Sequence, residues 1–292
     1  MNGFTALLLA ASVSCSTARA VFSKRLGTAA GGKREFCKTQ AELFFFAAAV
    51  IFLLNIKGMC LPSGKTLAFG VMYGVFTVLA QWLYTAALGR MPVSVCAMAY
   101  SFGFIIPTVF GTVMWNESIG FFKILSVLLC VVTIILSSFG NGGDNKKTEI
   151  GAVLPLIISM IASGGLGVVQ KLQQKSDHPS ETGAFLLSAF LLAGIISAAA
   201  ALIAKNKNYP AQKSGKEFYF SVIIVGTAMA AANTANTLLA GKLPSVIAFP
   251  ITNVGVILAS LFVSVLFLKE KITGKQIAAM ATGISAVIMF NF

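Results

Sequence analysis

Ten stretches of 14 or more residues contain no Asp, Glu, Lys, Arg or His: 2–18, 43–56, 66–89, 91–116, 124–143, 150–170, 182–204, 218–241, 243–268 and 276–292. Nine of them reach 17 residues, the lower bound for a helix that spans a bilayer. The tenth, 43–56, is the weak one and approaches that length only by taking in Ala41 and Glu42. Ten spans of about 20 residues consume most of a 292-residue chain, so almost nothing is left for a domain outside the lipid. With 57% apolar and only 11% charged residues, the chain is expected to be an all-α integral membrane protein with ten transmembrane helices. A soluble enzyme and a nucleic-acid-binding domain are excluded despite the formal net charge of +13, because basic residues gather in the connections of membrane proteins. Cys15, Cys37, Cys60, Cys96 and Cys130 form no Cys-x-x-Cys pair and read as small core residues rather than a disulfide or zinc framework. Ala18-Arg19-Ala20 fits a small-x-small cleavage site, but Met1-Asn2-Gly3-Phe4 lacks the positive n-region of a signal peptide, so the first stretch is read as a retained helix.

The ten spans repeat. Gly89-Arg90-Met91-Pro92 recurs as Gly241-Lys242-Leu243-Pro244 at an offset of 152, and at that offset Gly74 falls on Gly226, Gly103 on Gly255 and Phe110 on Phe262. Glu117-Ser118-Ile119 faces Glu270-Lys271-Ile272 one residue later, and Gly3 corresponds to Gly151. The chain thus divides into 1–143 and 144–292, each of five helices. Because five is odd, the halves enter the membrane from opposite sides, so the repeat is inverted. Gly past a helix end and Pro at the next helix start make each tetrad a tight hairpin, between helices 3 and 4 and between 8 and 9.

These features resemble the drug/metabolite transporter superfamily in its ten-helix EamA-like branch. The resemblance rests on the two halves, on Trp115-Asn116-Glu117-Ser118-Ile119 and Leu268-Lys269-Glu270-Lys271-Ile272, and on the small-residue-rich helices that follow. It implies a secondary transporter, an exporter or exchanger of small metabolites, with a central cavity lined by helices 1, 3, 4, 6, 8 and 9. It also implies cytoplasmic termini. Charge points the other way: connections 1–2, 3–4, 5–6, 7–8 and 9–10 hold 15 of the 22 Lys and Arg against six in the others, which by the positive-inside rule leaves both termini outside the cytoplasm.

Polar groups at bilayer depth are costly and mark function or interhelical contact. Thr77, Gln81 and Tyr84 share a face of helix 3. Asn233 and Asn236 of helix 8 fall on Gln81 and Tyr84 through the offset, as Thr252 and Asn253 of helix 9 fall on Tyr100 and Ser101 of helix 4. Arg19 lies on a stripe with Ser12, Ser16 and Ser23; it either holds a carboxylate or phosphate bidentately or snorkels beside Lys24 and Arg25. Arg19, Gln81, Tyr84, Tyr100, Asn233, Asn236 and Asn253 are therefore the candidate substrate contacts, with interhelical hydrogen bonding or aromatic packing the alternative for each. No acid lies within the ten stretches, Glu42 being the one at a helix margin with an inward position, so proton exchange for multiply charged cations is disfavoured. Glu117 and Glu270 read as caps of the following helices, and Trp115 as a headgroup-belt residue.

The only histidine, His178, lies in a loop, and no constellation for enzyme chemistry or a metal converges; no cofactor is expected. Gly164-Gly165-Leu166-Gly167 lacks the strand and Lys of a phosphate loop and reads, like Gly70 and Gly74, as close helix packing. Pro107, Pro155 and Pro250 are expected to kink or interrupt helices 4, 6 and 9. The reading is a multi-pass transporter, in the plasma membrane, of a small polar organic metabolite such as an amino acid. The alternatives are a carrier of an organic or quaternary cation held by Trp82, Tyr84 and Tyr100, or a lipid-handling or structural membrane protein. Its partners are the small-molecule substrate and the lipid bilayer, not nucleic acid, in a monomer or homodimer.

Overall fold

A run of apolar side chains in lipid leaves the backbone only itself to bond with, which selects helices. In the computed structural model, residues 2–27, 32–56, 58, 60–88, 99–117, 120–138, 151, 153–204, 216–268 and 274–289 are described. Among them are ten α-helices and no strand. These are α1 (Gly3–Gly27), α2 (Lys33–Asn55), α3 (Gly64–Leu88), α4 (Ile105–Trp115), α5 (Phe121–Ser138), α6 (Val153–Gln174), α7 (Thr182–Ile203), α8 (Lys216–Lys242), α9 (Ser245–Leu268) and α10 (Gly274–Met289). One helix falls on each charge-free stretch. Five segments, Lys33–Asn55, Gly64–Tyr84, Val153–Gln174, Pro179–Ile203 and Phe218–Lys242, are long and apolar enough to cross a membrane, and four further apolar helices are shorter.

The chain forms two compact units, one of Met1–Val78 with Leu172–Leu238, the other of Leu79–Lys171 with Leu239–Phe292. Each draws on both sequence halves. In the first unit α2 packs against α7, antiparallel, since Phe44 meets Phe190, Phe45 meets Gly194 and Asn55 meets Gly183. Gly70 and Gly74 bring α3 onto α7: a Cβ added to Gly74 would lie 2.7 Å from the carbonyl oxygen of Ala189. In the second unit α5 packs against α10, and α9 against α4 and α5, around Phe104, Cys130, Ile134, Ala240, Phe249, Val254 and Ala286. Here Gly164 and Gly167 set α6 against α4, with a Cβ on Gly167 falling 2.8 Å from Pro107. Both glycine pairs thus serve the close packing expected of them.

Three expectations shift in detail. The Gly241–Pro244 hairpin joins α8 to α9 through Leu243 and Pro244, but Gly241 is still helical and the Pro244 carbonyl accepts the first bonds of α9. Gly89–Pro92, like Ser118, Ile119 and Lys269–Ile272, lies outside the described residues. Pro155 sits in the first turn of α6, where no helical N–H is lost; Pro250 is inside α9 and Pro107 within the helical run Ala99–Trp115. A 3-10 turn, Phe102–Phe104, precedes α4, so the chain is interrupted just before Pro107. At the other end of α4, Asn116 adopts the left-handed region, φ 47°, a conformation Asn tolerates at a helix end.

Because Gly74 faces a backbone oxygen that has no room to move, Gly74→Val is expected to lower stability by about 1–3 kcal/mol in thermal unfolding of the detergent-purified protein. Gly120→Ala, which meets nothing within 4 Å, is expected to leave it unchanged.

Candidate functional site

Nine hydroxyls on these helices return their proton to the carbonyl four residues back, among them Thr77, Thr108, Thr133, Thr234 and Thr252. That local bond satisfies the hydroxyl without help from another helix. Among the described residues of the first unit, two side-chain hydrogen bonds from other helices meet α8.

Tyr73, 1% exposed and packed edge-on to Phe185 at 5.2 Å, donates its phenol to Asn233 Oδ1 at 2.5 Å. Asn233 Nδ2 donates to the Met229 carbonyl at 2.8 Å. One turn on, Ser12 of α1, fully buried, donates to Asn236 Oδ1. Both asparagines are themselves half-buried. Buried residues of α1 and α3 thus hold two carboxamides of α8 from behind. Arg19, also half-buried, lies seven residues beyond Ser12 on the same stripe of α1. Of the predicted residues the first unit therefore contains Arg19, Asn233 and Asn236, and it brings Asn233 together with Tyr73. Tyr73 escaped the sequence reading, although it stands four residues before Thr77 on the face that carries Gln81 and Tyr84.

The second unit holds the other four. Tyr84 and Tyr100 are a ring pair, centroids 5.0 Å apart and tilted by 58°. Gln81 is half-buried on the same helix as Tyr84. Asn253 donates to the Phe249 carbonyl of its own helix at 2.9 Å, as Thr252 does to Ala248 and Phe249. These bonds lie around Pro250, where side-chain donors replace backbone order.

Two charged residues depart from expectation. Lys171, at the edge of a charge-free stretch, lies inside α6 and is 2% exposed. Its ammonium meets Glu117 Oε1 at 3.0 Å, donates to the Leu243 carbonyl at 2.8 Å and lies 6.0 Å above the Trp115 ring. Glu117 Oε2 in turn accepts the Ser245 N–H at 2.6 Å. Glu117 therefore caps α9, not the following helix, because the left-handed Asn116 turns the chain back toward the α8–α9 hairpin. Glu117 is thus half-buried, as is Glu42. Trp115, packed against Phe110 at 5.5 Å and under Lys171, does more than line a headgroup belt. The signal for Lys171 was its place on the Gly164 and Gly167 face at i, i+3, i+7.

At one end of the first unit a second acid caps a helix: Glu181 accepts the Ser63 N–H and hydroxyl, both at 2.9 Å, at the start of α3. Beside it Lys65 pairs with Asp177 at 2.6 Å on the surface. That hydrogen bond and charge hold the Asp177 carboxyl below its ordinary range. The contribution is present above about pH 4, the usual Asp value, and fades as acid protonates Asp177. His178 is exposed, 3.6 Å from Glu181.

Comparison with known proteins now adds to this geometry. The model of the EamA-like transporter family matches residues 150–292, consistent with a member of the drug/metabolite transporter superfamily. Comparison with curated proteins gives no match. Among solved structures 28 chains match; one crystal structure, 14% identical, aligns with a TM-score of 0.76 over 97% of this chain and 98% of its own. At that identity the likeness speaks for the fold. The chain is a multi-pass integral membrane protein, and the family it matches is one of small-molecule transporters.

Lys171→Met strands a buried carboxylate and is expected to lower stability by about 3–5 kcal/mol. Glu117→Gln combined with Lys171→Met should cost less than the two singles added, by a coupling of about 0.5–3 kcal/mol, read from thermal unfolding of the four-member cycle.

Proposed function

We propose that this chain, whose residues 150–292 carry the EamA-like match, is a secondary transporter of a small polar organic metabolite such as an amino acid, working as an exporter or exchanger by alternating access in the plasma membrane. The observation that carries the reading is the pair of half-buried α8 carboxamides, Asn233 and Asn236, each fixed by a buried hydroxyl from another helix. Such backing holds a polar group at a set angle where rotation would otherwise cost affinity. With Arg19 they form a first set of contacts; Gln81, Tyr84, Tyr100 and Asn253 form a second.

The proposal includes ten crossings in two inverted halves, 1–143 and 144–292. In support, α2 packs on α7 and α5 on α10, which sets the second helix of one half on the second of the other, and the fifth on the fifth. Self-matching contacts of this kind belong on a two-fold axis. Thr133 and Thr282, 149 positions apart, face each other at 3.0 Å across α5 and α10.

A quaternary-cation carrier is the second reading, favoured by the Tyr84–Tyr100 pair, since two facing rings suit a cation. Thermal shift and proteoliposome counterflow against amino acids, organic anions, nucleosides and quaternary amines separate the two. The first reading expects an amino acid or other metabolite to stabilise and exchange, and Asn236→Ala to weaken it by about tenfold, roughly the 1.4 kcal/mol of one hydrogen bond to a charged group. Stabilisation by quaternary amines alone, lost in Tyr84→Ala, would install the second reading instead.

A further inference from the structure

We infer that the α8 site offers its substrate hydrogen-bond donors, and therefore grips a carboxylate or similar acceptor rather than an ammonium group; this rests on the transporter reading above and names the substrate class of that same site. The argument is a count of lone pairs and protons. An asparagine side chain carries one acceptor oxygen and two N–H donors. At Asn233 the orientation is fixed by chemistry: the Met229 carbonyl can only accept, so Nδ2 must face it, and Oδ1 is left toward the Tyr73 phenol. At Asn236 the oxygen is turned to Ser12.

Both oxygens thus point at side chains that are at most 1% exposed, Tyr73 and Ser12, on the packed side of α8. The opposite end of each half-buried carboxamide is its nitrogen. After the bond to Met229, Asn233 retains one N–H; Asn236 has its Nδ2 pair.

The neighbouring stripe of α1 has the same polarity. Ser12 meets Asn236, and Phe22 packs with Val222 and Val225, so α1 and α8 run antiparallel and Arg19 stands level with the turn of α8 before Asn233. A guanidinium has five donors and no acceptor. At Asn233 and Asn236 an ammonium ligand, which carries only donors, would meet N–H donors; a carboxylate would meet partners of the right sign.

The test uses the full chain in detergent, with matched trios of probes on the serine and leucine skeletons: the amino acid, the acid lacking the amine, and the amine lacking the carboxylate. Binding is measured calorimetrically and by thermal shift. The expected result is binding of the amino acid and the acid, with the amine weaker by tenfold or more. Asn236→Asp, which puts a carboxylate where the donors were, should lose the acid by at least tenfold and gain the amine. Tyr73→Phe removes one of the two bonds that orient Asn233, so that its carboxamide can turn, and should narrow the gap between acid and amine; it also decides the matter if the aspartate variant does not fold. Amines that bind as well as acids, or a preference untouched by both substitutions, would overturn the inference and leave the transporter reading standing. Failure of every probe to bind, together with no counterflow of any compound in the wider panel, would remove both.

Discussion

Every polar group that enters a hydrocarbon layer must find its partner inside the protein, because no water is there to take its place. That constraint orders the whole chain. It turns the apolar stretches into helices, and it sends the hydroxyls of Thr77, Thr133 and Thr282 back onto their own carbonyls. What remains after those local bonds is a short inventory of side chains whose partners lie on other helices, and the residues of interest are drawn from it.

The inventory has two kinds of member. Lys171 and Glu117 satisfy each other completely, with Leu243, Ser245 and Trp115 supplying the rest. A buried ion pair of this sort gains little over an apolar replacement, but it does not tolerate the loss of one partner, so it pins α4, α6 and the α8–α9 hairpin in register. Asn233 and Asn236 differ in that both are half-buried and keep N–H donors beyond the bonds that hold them. The same hydrogen bonds that tie α8 to α1 and α3 also orient each carboxamide, so under the proposed reading interhelical contact and substrate contact belong to one side chain.

Legibility in the sequence followed the range of the interaction. Gly70, Gly74, Gly164 and Gly167 announced close packing because a missing side chain in an apolar helix has few other uses, and their neighbours across the seam agree. Tyr73 and Lys171 were hidden in plain helical spacing: each extends a face already recognised, by four residues before Thr77 and four after Gly167. Glu117 was seen as a cap, yet its target lies 128 residues away. No local pattern specifies such a target, since it depends on the left-handed turn at Asn116 and on where the α8–α9 hairpin lies in the same unit.

The sequence by itself determined that this chain is helical, apolar and membrane-bound, and on which stretches its helices lie, because charge exclusion and backbone pairing act within a single stretch of about 20 residues. It also carried the family likeness of its second half. Only the tertiary structure decided which end of each polar side chain is spent on the fold and which is left over. Ser12 and Asn236 are 224 positions apart, Tyr73 and Asn233 160. Direction in a hydrogen bond is a property of the pair, and the pair exists only once the helices have packed.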